Sequence, residues 1–352
     1  MLRYGLIGAG MMGQEHIRNI DLVDDAIITA IADPDEGMRG ISANLAPDAQ
    51  LFTNYKDLLS ADICDALVIV SPNDTHHEIL LDILPANKPI LCEKPLCTTS
   101  KHCRDIIKAA TAPVWVAMEY RYMDPLQEMK KELAVVGTPQ MISIKEHRFP
   151  FLDKVADWNR FSVRTGGTLV EKCCHFWDLM RLMLNSNPTR VYASANMDVN
   201  HQNERYEGEK PDIIDNAFVI VDFENGARGM LDLCMFAEGA YWQEIVSITG
   251  DMARIEARIP GSHLAKDKTV LQAELSIADR ASHSETTRKI TSDPQILAAG
   301  SHHGSTYYQH QKFAEMIRNE GQPEVTLEDG LWSVRVGEAA EESAKSGMPV
   351  TL

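Results

Sequence analysis

The chain contains no C-x-x-C pair, no internal repeat and no low-complexity linker. Nor does it contain a run near the roughly 18 apolar residues that a membrane helix requires. Without C-x-x-C spacing, the adjacent Cys173-Cys174 is the remaining thiol signal for a metal or redox centre. Neighbours on a helix diverge by roughly 100°, which favours two small buried residues instead. The seven cysteines are odd in number, and a chain of 352 residues needs no staples, so unbridged thiols are expected. Basic residues are scarce: 34 Lys plus Arg stand against 51 Asp plus Glu, a net charge of -17. Such an excess repels nucleic acid and anionic membranes at long range, and neither is an expected partner. The start, Met1-Leu-Arg-Tyr-Gly-Leu-Ile-Gly8, lacks the apolar core and cleavage region of a secretory segment, so a soluble cytoplasmic protein is expected.

What remains is ordinary globular composition, 44% apolar and 24% charged. The length suits two domains. Up to about residue 120, β-rich runs at Leu2–Ile7, Ala26–Asp33, Ala66–Val70, Ile90–Cys92 and Val114–Met118 alternate with amphipathic stretches at 12–20, 35–45, 74–84 and 99–111. That rhythm builds βαβ units and a mostly parallel sheet. Beyond residue 123 the rhythm changes. Helical stretches are predicted at 124–134, 168–184, 304–320 and 327–345. Strands are predicted at 138–147, 190–198, 213–223, 227–236, 241–249, 252–259 and 269–277, several joined by tight turns such as Glu224-Asn-Gly226. The predicted architecture is α/β: a dinucleotide-binding domain over 1–122, then an α+β domain over 123–352 with a large, open, mostly antiparallel sheet. One face of such a sheet needs a partner, so an oligomer through that face is expected.

Gly8-Ala-Gly10-Met11-Met12-Gly13 has G-x-G-x-x-G spacing, directly after a strand and opening a helix. Gly8 permits the tight turn, Gly10 lets backbone approach a pyrophosphate, and Gly13 lets helix and sheet pack closely. Asp33 ends the second strand and suits a ribose 2′-hydroxyl, which favours NAD over NADP; Arg39 nearby pulls the other way. Ser71-Pro72-Asn73-Asp-Thr75-His76 follows the Ala66–Val70 strand on the edge where open sheets bind ligands. His76 there reads either as a cleft residue or as a plain helix start.

Glu93-Lys94-Pro95 follows the Ile90–Cys92 strand on the same edge. Lys94 would point to the nicotinamide end, with Pro95 fixing the backbone through a possible cis bond; alone, it reads equally as a surface lysine. In Gly166-Gly-Thr-Leu-Val-Glu171-Lys-Cys-Cys-His175-Phe-Trp-Asp178, Glu171 and His175 are four apart and share a helical face, with Asp178 near the same side. A histidine held against a carboxylate can be a base near neutral pH. A buried histidine satisfied by packing is the competing reading.

Taken together, the glycine motif, Glu93-Lys94-Pro95 and the Gly166-Gly167…His175-x-x-Asp178 block resemble the family of glucose–fructose oxidoreductase, inositol dehydrogenase and the rhizopine-catabolism oxidoreductases. The resemblance spans essentially the whole chain. It implies a dinucleotide-binding domain, a C-terminal α/β domain with an open sheet, and dimers or tetramers formed through that sheet. It also implies NAD(P)-dependent oxidation of a secondary hydroxyl on a sugar or cyclitol, or the reverse. By resemblance Lys94 contacts the reacting hydroxyl and His175 is the catalytic histidine. Glu171 stands where many members carry aspartate, and Cys173 where many carry glycine.

The expected catalytic set is therefore Lys94, His175 and Glu171. Expected cofactor contacts are Gly8, Gly10, Met11, Met12, Gly13, Asp33, Ser71, Pro72, Asn73, His76, Glu93, Lys94 and Arg121, with NAD as cofactor and no metal. Expected substrate contacts are Lys94, Tyr122, Arg148, Trp158, Arg160, Arg164, Glu171 and His175. His303 and Tyr307, from the polar start of the 304–320 helix, complete that set. The stretch Lys145–Lys172 is basic and leaves an anionic sugar open; ordinary surface ion pairs are the alternative for its arginines. Two other functions fit the same residues: a glycosidase or dehydratase that works through transient oxidation, and a non-catalytic NAD-binding regulator.

Overall fold

A computed structural model describes residues 1–261, 271–300 and 302–352. The first part is β1 (Leu2–Ile7), α1 (Met11–Ile20), β2 (Ala26–Ala32), α2 (Glu36–Leu45), β3 (Gln50–Phe52), α3 (Tyr55–Ala61), β4 (Ala66–Ile69), α4 (His76–Ile83), β5 (Ile90–Cys92), α5 (Ser100–Ala109) and β6 (Val114–Val116). The strands pair in parallel in the order β3-β2-β1-β4-β5-β6. Strand order reverses between β1 and β4, which places the ligand crevice at the carboxyl ends of those strands. Ala66, Leu67, Val68 and Ile69 are all buried, as a strand covered on both faces must be. The sequence reading missed β3 and α3, which sit at the sheet edge and carry little apolar signal.

After α6 (Asp124–Lys131) come β7 (Pro139–His147), α7 (Ser162–Thr165), α8 (Thr168–Glu171), α9 (Cys174–Leu184), β8 (Pro188–Asn196), β9 (Asn216–Phe223), β10 (Arg228–Cys234), β11 (Trp242–Gly250), β12 (Ala253–Pro260), β13 (Ala273–Asp279) and β14 (Ser284–Ile290). The chain closes with α10 (Pro294–Ala299), α11 (Ser305–Arg318), α12 (Leu327–Ser346) and β15 (Val350–Thr351). Among the described residues the second sheet runs β14-β13-β12-β11-β7-β10-β9-β8-β15, antiparallel throughout except for β10 against β7. Strand 269–277 was expected too early, and its positions 269 and 270, like Ser301, lie outside the described residues. The edge strand β14 was not anticipated because Ser284-Glu-Thr-Thr-Arg-Lys289 is exposed and shows no apolar alternation.

The predicted 168–184 helix is broken. α8 ends at Glu171 and α9 begins at Cys174, with the Cys173 amide reaching back five residues to the Thr168 carbonyl at 3.3 Å. The C-terminal helices also return to the first core: Phe313, Ala314, Val325, Leu331 and Val334 pack there, whereas Val336, Ala339 and Ala340 of the same α12 pack in the second. A capping box formed by Thr326 and Asp329 starts α12. Midway along it, a Cβ on Gly337 would lie 2.6 Å from the Leu169 carbonyl oxygen and 2.8 Å from Val170 Cα. Backbone on both sides cannot give way, so α12 and α8 touch only because the residue is glycine. Gly337→Ala is expected to destabilise the fold by about 1–3 kcal/mol, as overpacking does, read as a lower urea midpoint at unchanged slope.

Candidate active site

The glycine loop is built as the nucleotide reading requires. Gly8 has φ +104° and its Cβ would lie 2.6 Å from the Val70 carbonyl group, while a Cβ on Gly13 would meet the Gly8 oxygen at 2.6 Å. Gly10 differs: its Cβ would meet nothing within 4 Å, so open space lies over the loop at the amino end of α1. That is where a pyrophosphate can reach amide donors and the positive helix end. Met11 is exposed and Met12 half-buried beside it. Asp33 accepts the Ala9 amide at 2.7 Å and the Asp35 amide at 2.8 Å, tying the glycine loop to the end of β2. An ionised carboxylate has about four acceptor sites, which leaves room for a ribose hydroxyl. Arg39 donates to the Asp33 and Pro34 carbonyls at 2.7 and 2.8 Å.

In the loop after β4, Ser71 Oγ accepts the Thr75 hydroxyl, Pro72 turns the chain, and the buried Asn73 Nδ2 has no partner among the described residues. A buried, unpaired amide at the crevice fits a ligand that brings an acceptor. His76 is fully buried between the Pro95 and Ser71 carbonyls, at 2.9 and 3.0 Å. It ties the two crevice loops together rather than facing the cleft.

Lys94 precedes Pro95 through a cis peptide bond. Glu93 beside it accepts His16 Nε2 at 2.9 Å and the Lys94 amide at 3.0 Å, and His16 Nδ1 continues to His310 Nε2 at 2.7 Å. Lys94 Nζ donates to the Glu171 carbonyl at 3.3 Å. The helix break explains that bond. A continuous helix would pair the Glu171 carbonyl with the amide four residues on; here it accepts Lys94 and the Cys174 thiol, the latter at 3.2 Å. Burial opposes the Lys94 charge, yet Cys174, Glu93, Glu171 and Glu119 outweigh it and raise the pKa above the ordinary lysine value.

His175 is buried and its ring stacks on Tyr120, 4.1 Å away and 7° from parallel. Burial, followed by the charges of Lys94, Lys172, His302 and Arg148, holds its pKa well below the usual value. The imidazole is therefore neutral. Among the described residues its buried Nδ1 has no partner, which leaves Nε2 as the nitrogen able to reach a ligand. Glu171 Oε2 is likewise buried and unpaired. Burial raises the Glu171 pKa, against the pull of Lys94, Lys154, Lys172 and Arg148.

Several expected contacts are placed elsewhere. Asp178 does not face His175: it forms a buried two-bond pair with Arg121, at 2.6 and 2.5 Å. Arg121 is thereby a bracing residue rather than a cofactor contact, with Asp329 3.4 Å away. Tyr122 lies in the core against Trp115, and not toward the substrate. Arg160 is buried and spent on Asp153 at 2.7 Å and Glu204 at 3.1 Å. Arg164 pairs with Asp74 at the surface, at 2.9 Å. His303 Nε2 donates to the Pro260 carbonyl, 3.0 Å away, and Tyr307 packs edge-on against Tyr308. Trp158 is half-buried in the Val155–Arg160 turn. Arg148 lies over Phe149, 4.3 Å from its ring centre, and 3.5 Å from Glu146.

The residues that sequence reasoning missed form the floor of the site. Lys172 is buried and reaches Glu146 at 2.9 Å and the Tyr120 hydroxyl at 2.8 Å. Glu146 of β7 sits opposite Glu244 of β11. Burial and this like-charge neighbour push the Glu244 carboxyl up to about 7. The signal was present in the strands, since Glu146 continues the inward row Ile142, Ile144 and Glu244 the row Ile248, Val246. On the cofactor side His302 meets Glu15 at 2.9 Å and Glu119 at 3.5 Å, and despite burial these carboxylates raise its pKa to about 9.

This fold and site define an NAD-dependent oxidoreductase. The family model described as the oxidoreductase NAD-binding Rossmann fold matches residues 2–120, and the model of the C-terminal alpha/beta domain matches residues 130–352. The chain belongs to the Gfo/Idh/MocA oxidoreductase family, and its cofactor is NAD. It is 27% identical to an uncharacterized oxidoreductase, YrbE, of Bacillus subtilis, over 99% of this chain and 96% of that one. It is 26% identical to the myo-inositol 2-dehydrogenase of Thermotoga maritima, over 100% of this chain and 98% of that one. An oxidoreductase domain protein of Kribbella flavida has the same fold, with a TM-score of 0.84 at 21% identity over 99% and 98% of the two chains.

Breaking the Arg121–Asp178 pair leaves one buried charge uncompensated. Arg121→Met is expected to cost about 3–5 kcal/mol of stability, measured by denaturant unfolding, whereas a mere cofactor contact would alter NAD affinity alone.

Proposed function

We propose that the protein oxidises a secondary hydroxyl of a sugar or cyclitol. The observation that carries this is the convergence of a charged Lys94 and a neutral His175 on one buried site beside Glu171. The whole-length likeness to a myo-inositol dehydrogenase supports the substrate class. NAD supplies the hydride acceptor when bound. Gly8, Gly10, Gly13 and Asp33 hold its pyrophosphate and ribose end, and the Asp33 carboxylate disfavours a 2′-phosphate there. His175 takes the hydroxyl proton on Nε2. Lys94 donates to the same oxygen and stabilises negative charge as it develops. Glu171 orients a neighbouring hydroxyl, Tyr120 fixes the plane of the imidazole, and the surrounding apolar and ion-paired walls exclude water.

Reduction of NAD across inositols, hexoses, anhydrosugars and uronates would identify the substrate. On it, His175→Ala should lose about 10²–10⁴-fold in kcat, the usual worth of a positioned base, and Lys94→Ala about 10²–10³-fold, like the loss of an oxyanion donor. Full kcat in both variants would refute the assignment. The base is lost only as pH falls through the depressed His175 pKa. The acid limb of kcat/KM should therefore lie below pH 6.5, the ordinary histidine value.

We also propose that a second copy covers the outer face of the second sheet. Tyr192, Ile220 and Met230 form one exposed cross-strand row there, with Phe218 and Met141 beside it. Phe218→Asp, at a position 63% exposed in the single chain, should shift the mass in analytical ultracentrifugation to that of the monomer.

A further inference from the structure

Four cations act on the catalytic centre: Lys94, Lys154, Lys172 and Arg148. Three are accounted for. Lys172 and Arg148 share Glu146, at 2.9 and 3.5 Å, and Lys94 holds the Glu171 carbonyl at 3.3 Å. Lys154 is left over. It is half-buried, and among the described residues its ammonium has no ion pair and no hydrogen bond. The charged groups acting on it are Glu171, Lys94, Glu93 and Arg148, the same set that surrounds the proposed reacting residues. Burial lowers its pKa, with Glu171 opposing that shift and Lys94 adding to it.

Its position is built, not incidental. Lys154 opens the Val155–Arg160 turn, and its carbonyl accepts the Asp157 amide at 2.9 Å. Ala156 and Asp157 are held in the left-handed region, with φ of 54° and 49°. The buried Arg160 clamps Asp153 from below, and Asn159 donates to the Leu152 carbonyl at 3.0 Å. The arginine expected to touch substrate is instead the anchor of the loop that carries the lysine. Glu171 is near enough to act on Lys154, but no ion pair joins them. A desolvated ammonium without a counter-ion is costly, and a ligand that brings the missing negative charge relieves that cost.

We propose that Lys154 is a specificity-determining residue that receives an anionic group on the substrate, so that the polyol oxidised here is an acid, of uronate, aldonate or sugar-phosphate type. This rests on the hydroxyl-oxidation reading of the same site. Binding, rather than turnover, separates the two. Titration calorimetry on the NADH-saturated protein would compare D-glucuronate, D-gluconate and D-glucose 6-phosphate with D-glucose and myo-inositol. At least one anion should bind about tenfold or more tightly than the neutral sugars, the scale of a hydrogen bond to a charged group. Lys154→Gln should erase that advantage without weakening the neutral sugars, and Lys154→Arg should keep it. The carboxylate and phosphate arms show which anion the loop takes. Equal binding of anions and neutral sugars, no binding of any anion, or an advantage that survives in Lys154→Gln would overturn the proposal. Failure of the oxidation reading shows separately, as no NADH formed from any polyol.

Discussion

Charge taken out of water must be matched or neutralised, and that constraint shapes the seam between the two sheets. Lys172, Glu146, Glu244, Arg121 and Asp178 are all buried there. Each unmatched charge would cost several kcal/mol. The structure answers locally: Arg121 takes Asp178 through two bonds, Lys172 bridges Glu146 and Tyr120, and Glu244 is held nearer neutrality by its burial and by Glu146 opposite. His175 cannot then be a cation as well. Its neutrality follows from the same matching, because dry surroundings and the nearby lysines both penalise a further positive charge. A neutral imidazole beside a charged lysine is what abstraction of a hydroxyl proton requires, so the state proposed for catalysis follows from how the seam is kept in charge balance.

Geometry at the seam depends on α12. The helix packs one end on the cofactor core and the other on the second sheet. It approaches α8 closely at Gly337, and its Glu341 accepts the Leu169 amide at 2.9 Å, capping a helix of only four residues. Gly167 must be glycine for this, since a Cβ there would lie 2.3 Å from Glu341 Oε1. α8 thus ends where α12 holds it, the Lys172 and Cys173 amides both reach back to the Thr168 carbonyl, and the Glu171 carbonyl is left for Lys94. The contact of α12 with α8 therefore sets where Lys94, just after β5, meets the segment that carries the histidine.

How much of this was legible in the sequence follows from the range of the interactions. The glycine loop, Asp33 and Glu93-Lys94-Pro95 are local devices whose spacing carries their meaning, whereas the Glu171–His175 spacing presumed one helix and the break falls inside it. Asp178 misled because its spacing from His175, intact within α9, says nothing about Arg121, 57 residues away. Glu146 and Glu244 meet only through strand register, and one residue of slip would put either on the opposite face. The arginines of the basic stretch could be counted but not assigned. Whether Arg160 points to the cleft or beneath its own loop depends on Glu204, which arrives from a distant turn. Small edge elements such as β3 and β14 stayed invisible because they bury too little to leave a periodic trace.

The acidity of the whole and the basicity of the site act over different distances. At physiological ionic strength the Debye length is about 8 Å, so most of the 51 carboxylates are screened from a ligand in the crevice. Within the seam, screening is weak and the effective dielectric constant low, and the nearest charges dominate. There Lys94, Lys154, Lys172 and Arg148 stand among Glu171, Glu146, Glu93 and Glu119, with the Glu244 carboxyl pushed up to about 7. The net charge of -17 sets how the protein meets macromolecules. It does not set the sign of the field that a small ligand meets beside His175. The local balance of charge around Lys154, on the loop anchored by Arg160, is therefore what a small ligand there would meet, whatever the total.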